Sequence, residues 1–163
     1  MANILSVIEK DNLQQPSRTN RLGELGESIA AKHLTEAGYR LVLSNFKVPV
    51  GRNSRGAQVT GEIDVIALDG DLLCFIEVKT RRSDEFTPIA ANVDLRKQRQ
   101  ITRTAKIYRR MFGVYEMEYR FDVVTVLVPK YAEPTTEVLK DYWSESKFRK
   151  RRWSQQQHWQ EYS

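Results

Sequence analysis

The chain predicts an α/β fold built on a mixed sheet, in the order α-β-β-β-α-β, and three observations carry that reading. Residues 20–37 and 94–112 each repeat apolar side chains at helical spacing. Between them, two apolar runs flank Asp69-Gly70-Asp71, the turn chemistry of a β-hairpin over residues 62–79. A valine-rich run from Phe121 to Val128 follows the second helix, and the connection to it from Lys79 is long enough for a right-handed crossover to a parallel partner. Helices flanking a mixed sheet in three layers is the expected architecture.

Taken in order, residues 1–19 are polar except for Ile4, Leu5, Val7 and Ile8, which read as one docked helical turn. Asn20 is the expected N-cap of the first helix and Gly38 its stop. Leu22, Leu25, Ile29, Ala30, His33 and Leu34 form its apolar stripe, with Glu27 on the stripe's edge and Glu24 roughly opposite. Residues 39–48 read as a first strand. Residues 49–60 contain two glycines, a proline and two arginines and read as a long loop. After the hairpin, the second helix points Ile101, Ala105, Tyr108 and Phe112 inward. The strand from Phe121 ends before Pro129. The composition then shifts to three tryptophans and the basic run 147–152. The expected division is therefore an N-terminal extension over 1–19, a domain over 20–129 and a C-terminal extension over 130–163.

The chain has 163 residues, enough for one domain with a real core, and a formal net charge of +5. Its one cysteine, Cys74, excludes an internal disulfide and reads as a small buried hydrophobe in a reducing compartment. The two histidines, His33 and His158, lie far apart and offer no zinc-ligand spacing. No segment at the start is apolar for long enough to span a membrane, so a cytoplasmic location without membrane partners is expected.

The chemistry concentrates in Glu77-Val78-Lys79, at the end of the apolar run 72–76. Side chains two apart in a strand share a face, so Glu77 and Lys79 project together. A Gly70-Asp71 loop sets Asp64 opposite Glu77, and an Asp69-Gly70 loop sets Glu62 there instead. Either two-residue loop leaves Asp64, Glu77 and Lys79 on one face. Two carboxylates so close repel one another, and a hard divalent cation relieves that. The alternative is an ion-pair ladder on a solvent-facing sheet. On the second helix, Arg96, Lys97, Arg99, Arg103, Lys106, Arg109 and Arg110 fall within sixteen residues that hold no acid. That density fits contact with phosphates, against the alternative of a merely solvated face.

Leu22-Gly23, Gly26-Glu27, Gly61-Glu62-Ile63-Asp64, Glu77-Val78-Lys79-Thr80-Arg81, Lys97-Gln98 and Arg120-Phe121-Asp122-Val123-Val124 resemble the motifs of the bacterial YraN-type family. That family is endonuclease-like and belongs to the PD-(D/E)xK nuclease superfamily, near its Holliday-junction-resolvase branch. The resemblance covers roughly residues 20–128 and implies a restriction-endonuclease-like core. It implies metal binding by Asp64 and Glu77, catalysis by Lys79, and a supporting metal-binding and catalytic role for Glu27. It also implies Mg²⁺ or Mn²⁺ as cofactor. Gln98 resembles the polar residue some branches place on this helix. Residues 52–60 depart from the family pattern and look inserted.

The expected function is hydrolysis of phosphodiesters in structured or branched DNA, with RNA an alternative substrate. Arg81, Arg96, Lys97, Gln98, Arg99, Arg103 and Lys106 are the expected nucleic-acid contacts. A non-catalytic nucleic-acid-binding module on the same scaffold is the second reading. The basic run beside Trp143 and Trp153 suits nucleic-acid contact with base stacking and, equally, a disordered or crystal-packed tail; a homodimer contact through those tryptophans is a further reading.

Overall fold

A computed structural model describes residues 17–82 and 93–149. The predicted turn at 4–8, His158, Trp153 and residues 150–152 of the basic run lie outside the described residues. Helix α1 (Arg18–Glu36) starts one turn earlier than expected, because the Ser17 side chain, not that of Asn20, accepts the N–H of Asn20 at 3.2 Å. It stops at Gly38, which takes φ +94°, a conformation that disfavours any side chain. The buried line of α1 is Gly26, Ala30 and Leu34, whereas Leu25 is 45% exposed. The helix has rolled toward its small residues. At Gly26 a Cβ atom would stand 1.8 Å from Thr80 Oγ1, so only glycine lets α1 come this close to the sheet.

The five strands are β1 (Arg40–Arg52), β2 (Gln58–Asp69), β3 (Leu72–Arg81), β4 (Tyr119–Leu127) and β5 (Thr135–Trp143). They lie side by side in chain order, antiparallel throughout except for the parallel pair β3–β4. Asp69 pairs with Leu72, so the hairpin loop is Gly70-Asp71. Helix α2 (Leu95–Met111) makes the crossover, N-capped by Asp94, whose carboxylate accepts the Lys97 N–H at 2.8 Å. The predicted order helix, three strands, helix, strand and the mixed sheet are therefore what the chain adopts.

Two expectations need correction. The segment 49–60 is not a long loop: β1 and β2 pair as far as Arg52–Gln58, and only residues 53–57 turn the chain. Nor does the sheet end at 129. β5 adds a fifth strand beside β4, and Trp143 is buried, stacked on Phe121 with ring centroids 4.8 Å apart. Its indole N–H donates to Thr102 Oγ1 at 3.0 Å, which removes Trp143 from the set of stacking platforms.

Apolar side chains fill both faces of the sheet. Beneath α2, Phe75, Phe121, Ile63, Ile66 and Val123 pack with Ile101, Ala105 and Tyr108. Beneath α1, Val65, Ala67, Cys74, Ile76, Val78, Val124 and Val126 pack with Ala30 and Leu34. Phe112 was expected inside and is 54% exposed, because it follows the last turn of α2; its ring still lies tilted against Tyr108 at 4.6 Å and edge-on to Phe46 at 6.4 Å. Burial holds the Cys74 thiol protonated by pushing it up to about 12, as an inert core residue.

Candidate functional site

The alternation of β2 breaks at Asp64. Ile63 and Ile66 both pack under α2, while Val65 and Ala67 pack under α1. A regular strand would put Ile63 and Val65 on one face. The paired ladder with β3 runs only to Val65–Ile76, and Asp64 Oδ2 then accepts the N–H of Val78 at 2.7 Å. The side-chain carboxylate thus takes the place of a ladder carbonyl and lies between the strands.

Glu77, beside it on β3, is 2% exposed. Lys79 Nζ contacts Glu77 Oε1 at 2.8 Å, the i, i+2 pair that a strand sets on one face. Lys97 Nζ, from the first turn of α2, stands 3.5 Å from Glu77 Oε2, longer than a good hydrogen bond. Among the described residues Oε2 has no hydrogen-bond donor although it is buried. Burial, first, and then the charge of Glu77 push the Asp64 carboxyl up to about 7, against the Val78 N–H that favours the ionised form. Loss of water and repulsion between two carboxylates is the condition a cation relieves, and a buried carboxylate oxygen without a donor is a place to bind one. Asp64 and Glu77 fit Mg²⁺ or Mn²⁺, which need only a few carboxylates and complete their shell from water and substrate.

Glu27 stands apart from this pair. It is half-buried on α1, and desolvation holds its carboxyl above the usual range, opposed by a hydrogen bond from the Asn45 side chain. Glu62, Glu24 and Glu77 add repulsion. Among the described residues no three acidic, histidine or cysteine side chains gather closely enough to hold one ion together. Glu27 therefore acts on the pair through its charge. Glu62 is drawn aside by Lys47, 3.3 Å away on the neighbouring strand.

The basic helix divides into two groups. Arg96, Arg99, Arg103 and Arg110 are exposed, and Lys97 and Lys106 are half-buried. Arg109 is buried, its guanidinium lying over the rings of Tyr119 at 3.8 Å and Tyr115 at 4.3 Å, and it belongs to the core. Gln98 turns inward too: its amide donates to the Val93 carbonyl at 2.8 Å and its oxygen accepts from Lys147 Nζ at 3.2 Å. An inward Gln98 joins α2 to the C-terminal segment and offers nothing to a phosphate. Arg81 is half-buried at the end of β3, where its carbonyl accepts the Val128 N–H at 2.7 Å.

One polar cluster carried no predicted role. Fully buried Asp122 accepts Arg120 Nε at 2.8 Å and the Asp141 N–H at 2.9 Å, and Arg120 Nη2 reaches Asp69 Oδ2 at 2.7 Å and Tyr39 Oη at 3.0 Å. The cluster ties β4 to β2 and β5 at the far end of β3 from Lys79. The Arg120-Phe121-Asp122 motif is thus structural, and its signal in the sequence was an acid inside a valine-rich strand.

Fold and site together define a mixed-sheet α/β protein with a buried acid pair and a lysine toward the end of its central strand. The chain belongs to the uncharacterised protein family UPF0102, whose model matches residues 26–126. Among its relatives, a UPF0102 protein of Chlorobaculum tepidum is 44% identical over 106 residues, 65% of this chain and 74% of that one. One from Chlorobium chlorochromatii is 37% identical over 139 residues, 82% of this chain and 99% of the relative. One from Alkaliphilus metalliredigens is 38% identical over 109 residues, 67% and 87%. The crystal structure of SSO0001 aligns with a TM-score of 0.37 at 16% identity, over 80% of this chain and 55% of that one.

Proposed function

We propose that the chain is a metal-dependent endonuclease-like protein that hydrolyses phosphodiesters in structured or branched DNA in the cytoplasm. The observation that carries this is the buried Asp64–Glu77 pair with Lys79 on it and one oxygen left without a donor. Burying two acids side by side costs several kcal/mol that apolar residues would not, so such pairs belong to function more readily than to stability. Asp64 and Glu77 would hold the ion, and Glu27 adds negative field from α1. A divalent cation bound there supplies Lewis-acid polarisation of a phosphodiester. Lys79, released from Glu77 Oε1, places its ammonium where charge develops on the phosphate. The exposed Arg96, Arg99 and Arg103 hold flanking phosphates and position the scissile group.

The test is incubation of the purified chain with duplex, flap, junction and single-stranded DNA and with RNA, in Mg²⁺ or Mn²⁺. Cleavage of a structured DNA, lost on chelation and in Asp64→Asn, is the expected result. One observation favours the second reading, a nucleic-acid-binding module without catalysis: Lys79 and Lys97 both contact Glu77 and already offset the two acids. Binding without cleavage anywhere in the panel, together with equal calorimetric heats of Mn²⁺ addition to wild type and Asp64→Asn/Glu77→Gln, selects it.

A further inference from the structure

Past the acid pair, β1 and β2 leave the body of the sheet as a two-stranded ribbon. Pairing continues through Val48–Gly61, Pro49–Thr60, Gly51–Val59 and Arg52–Gln58, and every residue from 51 to 58 is exposed. The tip is ordered by its own bonds. Asn53 Oδ1 accepts from the N–H groups of Arg55 at 2.9 Å and Ala57 at 3.0 Å, and Arg52 Nη1 donates to the Gly56 carbonyl at 2.7 Å. The root is fixed to α2. Gln100 Nε2 donates to the Thr60 carbonyl at 2.8 Å, and a Cβ at Gly61 would stand 2.0 Å from Thr104 Oγ1. Between residues 48 and 61 the charged side chains are Arg52 and Arg55, with no acid. Arg96 and Arg103, four before and three after the tethering Gln100, continue the positive surface along the exposed side of α2.

We propose that this ribbon enters the major groove of B-form duplex DNA beside the acid pair. The inference rests on the reading that the site acts on nucleic acid, and it deepens that reading by naming the duplex. From Pro49 to Arg52 a strand rises ~10 Å, before the turn is added. The B-DNA major groove is ~12 Å wide and ~8.5 Å deep and admits a two-stranded ribbon. The major groove of A-form RNA is deep and too narrow for it. Arg52 and Arg55 at the tip then meet phosphates or guanine edges, while α2 follows the adjoining backbone. Four residues beyond the root on β2, Asp64 lies where a strand of that duplex passes. The segment departing from the family pattern thus becomes the element that selects duplex DNA over RNA.

Fluorescence anisotropy in the presence of chelator, so that nothing is cut, tests this on the full chain with DNA duplex, RNA duplex and single-stranded DNA of one sequence. Wild type should prefer the DNA duplex. Arg52→Ala/Arg55→Ala should weaken duplex DNA binding about tenfold and lower its log–log salt slope by up to ~1.8, with little change for single-stranded DNA. A second variant, in which an Asn-Gly turn replaces residues 52–58, should do the same, its fold checked by thermal melting. Equal loss on all three ligands, or wild-type duplex binding by both variants, overturns the inference. If the chain cuts DNA and the variants still bind and cut duplex normally, the ribbon reading fails and the enzyme reading survives. If ribbon-dependent duplex binding occurs and nothing is ever cut, the ribbon reading stands and the enzyme reading fails.

Discussion

Burial lifts the Asp64 carboxyl to about 7 from an unfolded value of 3.8, and that shift has a sign in stability. Between those values the folded chain keeps a proton that the unfolded chain has lost. Stability therefore falls as pH rises through the window, by up to about 4 kcal/mol, and the loss is complete above it. The melting temperature of metal-free protein should drop by several degrees from pH 5 to pH 8. Asp64→Asn, whose side-chain oxygen can still accept the Val78 N–H, should flatten that curve, leaving the slope of Glu27, which runs the same way. Parallel curves for the two proteins would contradict the assigned cause. Lys79 is tied to the same pair. As a sheet-surface residue it reads as replaceable by alanine without cost to the fold, yet it is the 2.8 Å partner of a carboxylate whose side chain is 3% exposed. Lys79→Ala should lower stability by about 1–3 kcal/mol in metal-free protein, and Lys79→Arg should recover part of it; denaturant unfolding measures both. On the proposed function Lys79→Ala should also cut cleavage roughly 10²-fold.

At the scale of elements, α2 has one face that builds the core and one that does not. Ile101, Ala105 and Tyr108 pack on the sheet, joined by Arg109, which charge patterning alone counts with the surface. The exposed face keeps Arg96, Arg99, Arg103 and Arg110, although Arg99 already lies over the Phe148 ring at 5.5 Å. Alanine at Arg99, Arg103 and Lys106 together should weaken DNA binding and flatten its salt dependence, by up to ~0.9 in log–log slope for each phosphate no longer neutralised. A salt titration of binding checks it, and an unchanged slope would mark this face as solvated only. The strands show the same division of labour. β3 is buried on both faces from Leu73 to Val78 with Glu77 as its one charged residue there, and Lys79 and Arg81 follow where burial lessens.

For the whole molecule, the fifth strand carries the sheet past residue 129. β5 covers the edge of β4, and Trp143 sits in the core between Phe121 and Thr102. Trp143→Ala should cost about 3–5 kcal/mol, the scale of emptying a large aromatic site, and Trp143→Phe should recover most of the packing while losing the bond to Thr102. Chemical denaturation of the full chain measures both. A boundary at 129 predicts little effect from either change. No helix among the described residues is long and apolar enough to cross a membrane.

Period and punctuation in the sequence determined the two helices and the 62–79 hairpin, because each depends on residues near one another in the chain. The pairing of Asp69 with Leu72 then chose Gly70-Asp71 over Asp69-Gly70 as the loop, and the pairing of β3 with β4 made the crossover parallel. Glu77 and Lys79 were legible together for the same reason: two positions apart in a strand means one face. Other features depended on partners distant in sequence. The roll of α1 toward Gly26 is set by Thr80, and the inward turn of Arg109 by Tyr115 and Tyr119. Pairing of β5 is set by β4, whose edge gives the weakly patterned run 135–143 something to bond. The break in alternation at Asp64 is the clearest case, since a strand's own pattern cannot announce that a side chain will replace a backbone group of its neighbour. Only the tertiary structure brings Asp64, Glu77 and Lys97 together, because the closeness of charges from three elements is fixed by how those elements pack.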